Sequence, residues 1–420
     1  METISFITTA EYYELVKENS SNKNSTKLVG TNLTKVKFKH KNLGISNNFN
    51  LSNTIFSGLD LSEFNFGSVT LSGANFDNCD LYLAFFGHSG DNLQNTSFRN
   101  ADLRKANFSQ ANLSNADFTG ADLSYANLQK ANLSKANFTN AKLIAADLGQ
   151  TCLKNVNFKN ADLTKANLRS KLPDRYKAIK LVNLKSANLE DANLTGTLYD
   201  EETRFPTKFN PQEAGAYLIA PGVSLQKADF SHTNLSGANL SGANLSGANL
   251  SKANFTDTNL AHTNLNGADL REATFIFKDH NRFVNLHLER ANLQKATFIG
   301  FHPRSTCMYF KGVDLSETNL SDVSFTCLEL QGANLSNLKL DGINFQSAHL
   351  SGTNFTNSSL NGANFYSTNL TGADFSRSSL QGVNFRGAIL NGANFTGVNM
   401  SGVILDDKQK EVIVRENSTI

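Results

Sequence analysis

A leucine or phenylalanine recurs every fifth residue along most of this chain. Stepping by five from Leu93 reaches Leu or Phe sixteen times in succession, through Phe98, Leu103, Phe108, Leu113 and Phe118 to Leu168. A second run goes from Leu225 through Leu235, Leu240 and Leu245 to Phe275. A third goes from Phe310 through Phe345, Phe355, Phe365 and Phe375 to Leu405, broken in type only by Met400. Shorter runs join Leu33 to Leu43, Leu51 to Leu81, Leu184 to Leu194 and Phe283 to Phe298. Neither a helical period of 3.6 nor a strand period of 2 fits this spacing. Two places before many central residues stands a small one, as at Ala106, Ala116 and Ala126. A chain that turns a corner once per unit satisfies both features: the central side chain and its small neighbour point inward, and the other three residues face water. Four such units close a coil, and residues twenty apart then stack at about 4.8 Å. About sixteen coils would make a rod roughly 75 Å long.

Composition agrees with a short repeat. Among 420 residues there is no Trp, only 5 Pro, and 31 Phe against 9 Tyr. Only 18% of residues are charged, as stacking requires, because like charges one above another repel whereas Asn, Ser and Thr can form hydrogen-bonded ladders. Tandem units of the form Ala-Asn/Asp-Leu/Phe-x-x, purest in SGANLSGANLSGANL from Ser236 to Leu250, resemble the pentapeptide-repeat family over about three quarters of the chain. That resemblance implies an all-β fold, a right-handed quadrilateral parallel β-helix. Here it carries loop insertions and a short N-terminal helical cap.

The count of five fails in few places. Register slips by eight between Leu43 and Leu51 and by twelve between Leu81 and Leu93, and the same pair recurs at Phe275 to Phe283 and Phe298 to Phe310. Residues 169–183 form a basic loop. Residues 195–224 hold three of the five prolines and are expected to leave the coil; within them YDEETRFPTKFNP resembles an insertion recurrent in cyanobacterial family members. The expected organisation is a cap at 1–30, with a helix around Glu11 to Lys17, and repeats at 31–194. The insertion at 195–224 follows, then repeats at 225–405 and a cap or tail at 406–420 that contains the β-prone Val412, Ile413 and Val414.

Net charge is +2, so the molecule as a whole is neither a polycation nor an acidic imitation of DNA. No acid occurs between Glu18 and Asp60, where Lys35, Lys37 and Lys39 lie. From Arg99 to Lys185 there are fifteen Lys or Arg, among them Arg175 and Lys177, against six Asp. Docking to an acidic partner is one reading and an ordinary solvated surface is the other; no aromatic stacking pattern interleaves the lysines as nucleic-acid readout requires. His280, His287, His302 and Cys307 lie near Asp279 in the interruptions, without the local ligand pairs of a metal site. The four cysteines show no metal or disulfide spacing, and Cys79 takes a small-residue slot. Tyr199, Arg204, Phe205 and Phe209 in the insertion complete the interaction candidates.

A filled repeat interior offers no cleft for catalysis, so no enzyme, cofactor or metal is expected. The leading reading is a non-catalytic scaffold that binds an unidentified protein partner through flat faces and projecting loops. The alternatives are a topoisomerase-directed DNA mimic, as in some family members, and a binder of anionic surfaces. Homodimerisation through a terminal coil is also expected by resemblance. The start METISFITTAEYYELVKENS lacks a signal-peptide pattern, and no long apolar run occurs, so a cytoplasmic protein without a membrane span is expected.

Overall fold

The computed structural model describes residues 6–20, 28–38, 50–67, 69–87, 92–170, 181–277, 286–288, 291–293, 295–300, 315 and 329–416. They fall into two compact units, Met1–Leu218 and Ile219–Ile420.

One five-residue unit explains the first half. In Ala101-Asp102-Leu103-Arg104-Lys105, Ala101 and Leu103 are buried, and Asp102 pairs in parallel with Asp80 below and Asp122 above. A β-turn follows, closed by Ala106 N–H donating to Leu103 O at 3.0 Å. Lys105, third in that turn, takes φ 60. The Asp102 carboxylate accepts from Arg104 N–H at 3.1 Å, which holds the corner as an Asx turn and accounts for the Asn/Asp before each central residue. Pairing at a twenty-residue offset, as in Asn112↔Asn132 and Asn132↔Cys152, gives four units per turn. Leu93, Phe98, Leu103, Phe108, Leu113 and Phe118 all lie inside at 1% exposure or less.

The phenylalanines occupy two columns that face each other. Phe76, Phe98, Phe118 and Phe138 stack at 4.7 to 5.2 Å, and Phe66, Phe86 and Phe108 at 4.7 Å. Rings of the two columns meet edge to face, as Phe98 and Phe108 do at 5.5 Å and 79°. Phe86 fills the unit absent from the sequence count between Leu81 and Leu93, so that slip is two units plus two residues. The pairing Asn75↔Ser97 carries the extra two.

Helix α1 (Thr9–Ser20) starts on a capping box: Thr8 Oγ1 accepts from Glu11 N–H at 3.3 Å, and Glu11 Oε2 accepts from Thr8 N–H at 2.6 Å. It buries Tyr12 and Val16, with Tyr12 edge-on to Phe38 at 5.3 Å and Phe38 edge-on to Phe64. Phe6 pairs in parallel with Asn32.

The second unit repeats the scheme from Ser224↔Asn244 to Asn384↔Ile404. Leu235, Leu240, Leu245, Phe345, Phe355, Phe365 and Phe375 are fully buried. The left-handed corner is filled mainly by glycine here, for example Gly362 at φ 68, where the first unit uses Asn, Lys and Gln. Extended strands β3 (Thr274–Phe277) and β4 (Thr297–Gly300) pair in parallel at a slip of three residues. Helix α2 (Asp407–Glu416) takes the segment with Val412, Ile413 and Val414. A second capping box, Gln409 N–H to Asp406 Oδ1 and Asp406 N–H to Gln409 Oε1, overrides their β-propensity, and Ile413 packs inward.

Candidate functional site

The first unit departs most from its repeat between Arg169 and Leu218. Leu168 keeps the ladder by donating to Leu198 O at 2.7 Å, and the next residue is a fully buried arginine. Arg169 Nε donates to Asn167 Oδ1 at 2.9 Å, and the Asp147 and Asp200 carboxylates oppose the burial that lowers the arginine's pKa. Asp200 is buried and accepts from Thr203 N–H and Thr203 Oγ1 at 3.1 and 2.9 Å. The chain is thus pinned where the insertion begins.

The insertion, expected from its prolines to leave the coil, keeps ladder pairing at 198–199, 204 and 217–218. Strands β1 (Leu198–Tyr199) and β2 (Tyr217–Leu218) pair in parallel, and Arg204 pairs with Asn183. Prolines at 206, 211 and 221 fall outside these paired residues, so no ladder donor is lost. Tyr199, an expected contact residue, takes the central slot five after Leu194 and is buried; burial raises its hydroxyl pKa, opposed by a hydrogen bond with Gln212. Its ring meets Phe205 edge-on at 5.4 Å, and Phe205 stacks on Phe209 at 5.6 Å. Phe205 and Phe209 are half-buried, packed against the core, and Arg204 is exposed. Residues 200–216 therefore form an ordered platform on an aromatic base.

Lys35 and Lys37 are exposed near α1; Lys35 Nζ sits 4.4 Å from the Phe6 ring centroid, and Lys37 N–H donates to Thr9 Oγ1. Lys39, Arg175 and Lys177 lie outside the described residues, as do Asp279, His280, His302 and Cys307. Among the described residues no group of three metal-ligating side chains occurs. No helix of the described residues is long and apolar enough to cross a membrane. Cys79 is buried, its thiol donating to Phe56 O at 3.0 Å, and burial pushes its pKa up to about 12.

Two faces of the first unit differ in charge. One stacks Asp60, Asp80, Asp102 and Asp122, followed by Lys142 and Asp162. Arg104 clamps Asp102 through bonds of 2.6 to 3.0 Å, and this hydrogen bonding outweighs burial to lower the aspartate's pKa. Another face, built from residues 111–115, 131–135, 151–155, 182–186 and 203–207, contains Lys135, Lys154, Lys185 and Arg204 and no acid. Sequence reading missed this because the four cations are distant in the chain and converge only through the stacking.

Models of pentapeptide repeats match residues 50–86, 91–168, 224–260, 253–277, 309–337, 339–377 and 368–407. The chain belongs to the pentapeptide-repeat family. Among solved structures, the family member alr5209 from Nostoc PCC 7120 is 36% identical, covering 29% of this chain and 84% of that one at a TM-score of 0.19. HetL from Nostoc sp. strain PCC 7120, involved in heterocyst differentiation regulation, is 19% identical and covers 96% and 98%, at a TM-score of 0.15. Full-length QnrB1, a plasmid-mediated fluoroquinolone resistance protein, is 17% identical and covers 60% and 97%, at 0.24. At such TM-scores none of the three superposes closely enough to locate a site. No curated protein matches the sequence.

Proposed function

We propose that this pentapeptide-repeat protein is a non-catalytic scaffold that binds a protein partner through the platform at residues 200–216. The observation that carries the reading is the cost of ordering that platform: a buried arginine, a buried aspartate and a stacked aromatic base hold a surface with Glu201, Arg204, Lys208 and Glu213 exposed. Neither packing nor stacking of the repeat requires such a structure. In the same reading each unit is a right-handed four-sided β-helix, α1 and α2 cap exposed coil edges, and the protein is cytoplasmic. Affinity capture from the source organism with wild-type chain and with Arg204→Glu/Lys208→Glu tests it. Loss of a stoichiometric partner in the variant is expected; identical captured sets overturn the platform's role.

The rival reading, a DNA mimic directed at a topoisomerase, draws on the column Asp60, Asp80, Asp102 and Asp122. Lys142 interrupts that column and Arg104 partly neutralises it, and the net charge of +2 opposes it further. A supercoiling assay at micromolar protein decides between them, with no effect expected. Pairing of two copies through a terminal coil would appear as a doubled mass in light scattering.

A further inference from the structure

The face that carries Lys135, Lys154, Lys185 and Arg204 is also where the parallel ladder opens. Asn92, Asn112, Asn132 and Cys152 pair in sequence, and Asn183 pairs with Arg204, yet Cys152 and Asn183 do not pair. On the other three faces the same two coils stay joined, through Asn157↔Asn188, Asp162↔Asn193 and Asn167↔Leu198. The opening is confined by Gln150 N–H to Arg169 O at 3.3 Å on one side and Asn155 N–H to Ser186 Oγ at 2.9 Å on the other. Between them lies a groove of about 770 Å³, lined by Ser134, Cys152, Leu153, Lys154, Leu181 and Lys185.

The side-chain ladder stops at the same point. Asn132 Nδ2 donates to Asn112 Oδ1 at 3.1 Å, but the next residue in the column is Cys152, which has no amide to extend it. Ser134 Oγ donates to Asn132 Oδ1 at 2.6 Å, which leaves the Cys152 thiol as donor in its 3.1 Å contact with Ser134. On the adjoining face the amide ladder crosses the same coil junction intact, with Asn188 Nδ2 donating to Asn157 Oδ1 at 3.0 Å.

We propose that this groove binds a small organic anion, its phosphate or carboxylate held by Lys154 and Lys185 and its apolar part lying against Leu181. Three observations support this. The groove's volume falls in the range of small-molecule sites, about 300 to 1,000 Å³. Lys154 and Lys185 occupy equivalent places in successive coils, both exposed, and among the described residues neither makes an ion pair. Leu181 exposes 44% of its surface at the rim, unlike the buried central leucines Leu153 and Leu184 beside it. Because the ladder closes on both sides, the space suits a compact ligand rather than a strand running through it. Lysine ammonium groups gain most from a bound anion where few competing acids lie nearby.

The inference does not depend on the platform's role, and its test reads the groove alone. Phenyl phosphate, benzoate, inorganic phosphate and the neutral benzyl alcohol are titrated into the full chain. Alkylation of Cys152 by iodoacetamide is followed by peptide mapping. Saturable protection of Cys152 by phenyl phosphate or benzoate is expected, weaker protection by inorganic phosphate, and none by benzyl alcohol; the phenyl phosphate and benzoate arms tell a phosphate site from a carboxylate site. Lys154→Gln/Lys185→Gln, at exposed positions, is expected to raise the half-protecting concentration at least about tenfold, and added salt to raise it further. Absence of protection, equal protection by benzyl alcohol, or an unchanged titration in the double variant overturns the proposal.

Discussion

Phe365 sits at the centre of the phenylalanine columns in the second unit, and its replacement measures what those columns contribute. Its ring stacks on Phe345 at 4.9 Å and 13° and on Phe385 at 5.2 Å and 17°. It meets Phe355 and Phe375 edge to face at 5.7 Å, at 86° and 89°. Phe365→Leu keeps most of the volume and removes the ring contacts. At about 0.5 to 1.5 kcal/mol per aromatic pair, with overlap among the four, the expected loss is about 1 to 3 kcal/mol. Phe365→Ala adds a cavity that rigid coils above and below cannot collapse, for about 3 to 5 kcal/mol. Each coil contacts only its neighbours, so the damage should be local. Hydrogen exchange should accelerate in peptides spanning Leu350 to Leu380 and leave those around Leu113 unchanged, while urea unfolding orders wild type, Leu and Ala. An alanine variant within about 1 kcal/mol of wild type would refute the view that these columns hold the unit. Uniformly faster exchange throughout the second unit would instead refute nearest-neighbour cooperativity.

Gly362→Ala should cost about 1 kcal/mol, purely through its φ of 68, because a Cβ there meets nothing within 4 Å. Gly362→Asn should cost less, since Asn337 and Asn357 hold the same corner conformation; chemical denaturation ranks the two. Arg169→Met should destabilise by about 3 to 5 kcal/mol by leaving Asp200 buried without its opposing charge, and pulse proteolysis should show earlier cleavage in residues 200–216. Asp102 and Asp269 are each lowered first by a hydrogen bond from the arginine two residues on. Stability from these depressed carboxylates is present above their unfolded pKa of about 3.9 and is lost as pH falls through the lower folded values. Carboxyl chemical shifts should therefore show both titrating below that reference. Arg104→Gln should bring Asp102 back toward it.

Spacing in the sequence revealed the interior because each five-residue unit imposes the same demand. Leu103 and Ala101 must point inward for the corner to close, and any polar substitute would be seen as a gap in the count. The same logic misplaced Tyr199. A tyrosine after Leu194, followed by acids and a proline, looks like a departing loop, yet Thr197, Leu198 and Tyr199 fill the small, pairing and central slots of an ordinary unit. Val412 to Val414 misled in the opposite direction, since β-branched residues outside the repeat follow whatever end signal precedes them, here the Asp406 and Gln409 capping box.

Relations between coils were the part that the sequence concealed. Lys154 and Lys185 are thirty-one positions apart, an interval that is no multiple of twenty, and they align only because residues after Ser170 add eleven to the coil. The pairing offset lengthens from twenty to thirty-one between these coils, and pairing is lost at the face where Cys152 stands in place of an amide-bearing residue in the column. An asparagine there could have continued the ladder that Asn112 and Asn132 begin. The lost pairing and the groove lie where these two departures from the repeat, a longer offset and a thiol in an amide column, coincide. Cys152→Asn separates the two causes. If the amide column governs the opening, the variant should pair with Asn183, with slower exchange at Leu153 N–H and loss of phenyl phosphate binding. If the extra residues govern it alone, exchange and binding should match the wild type.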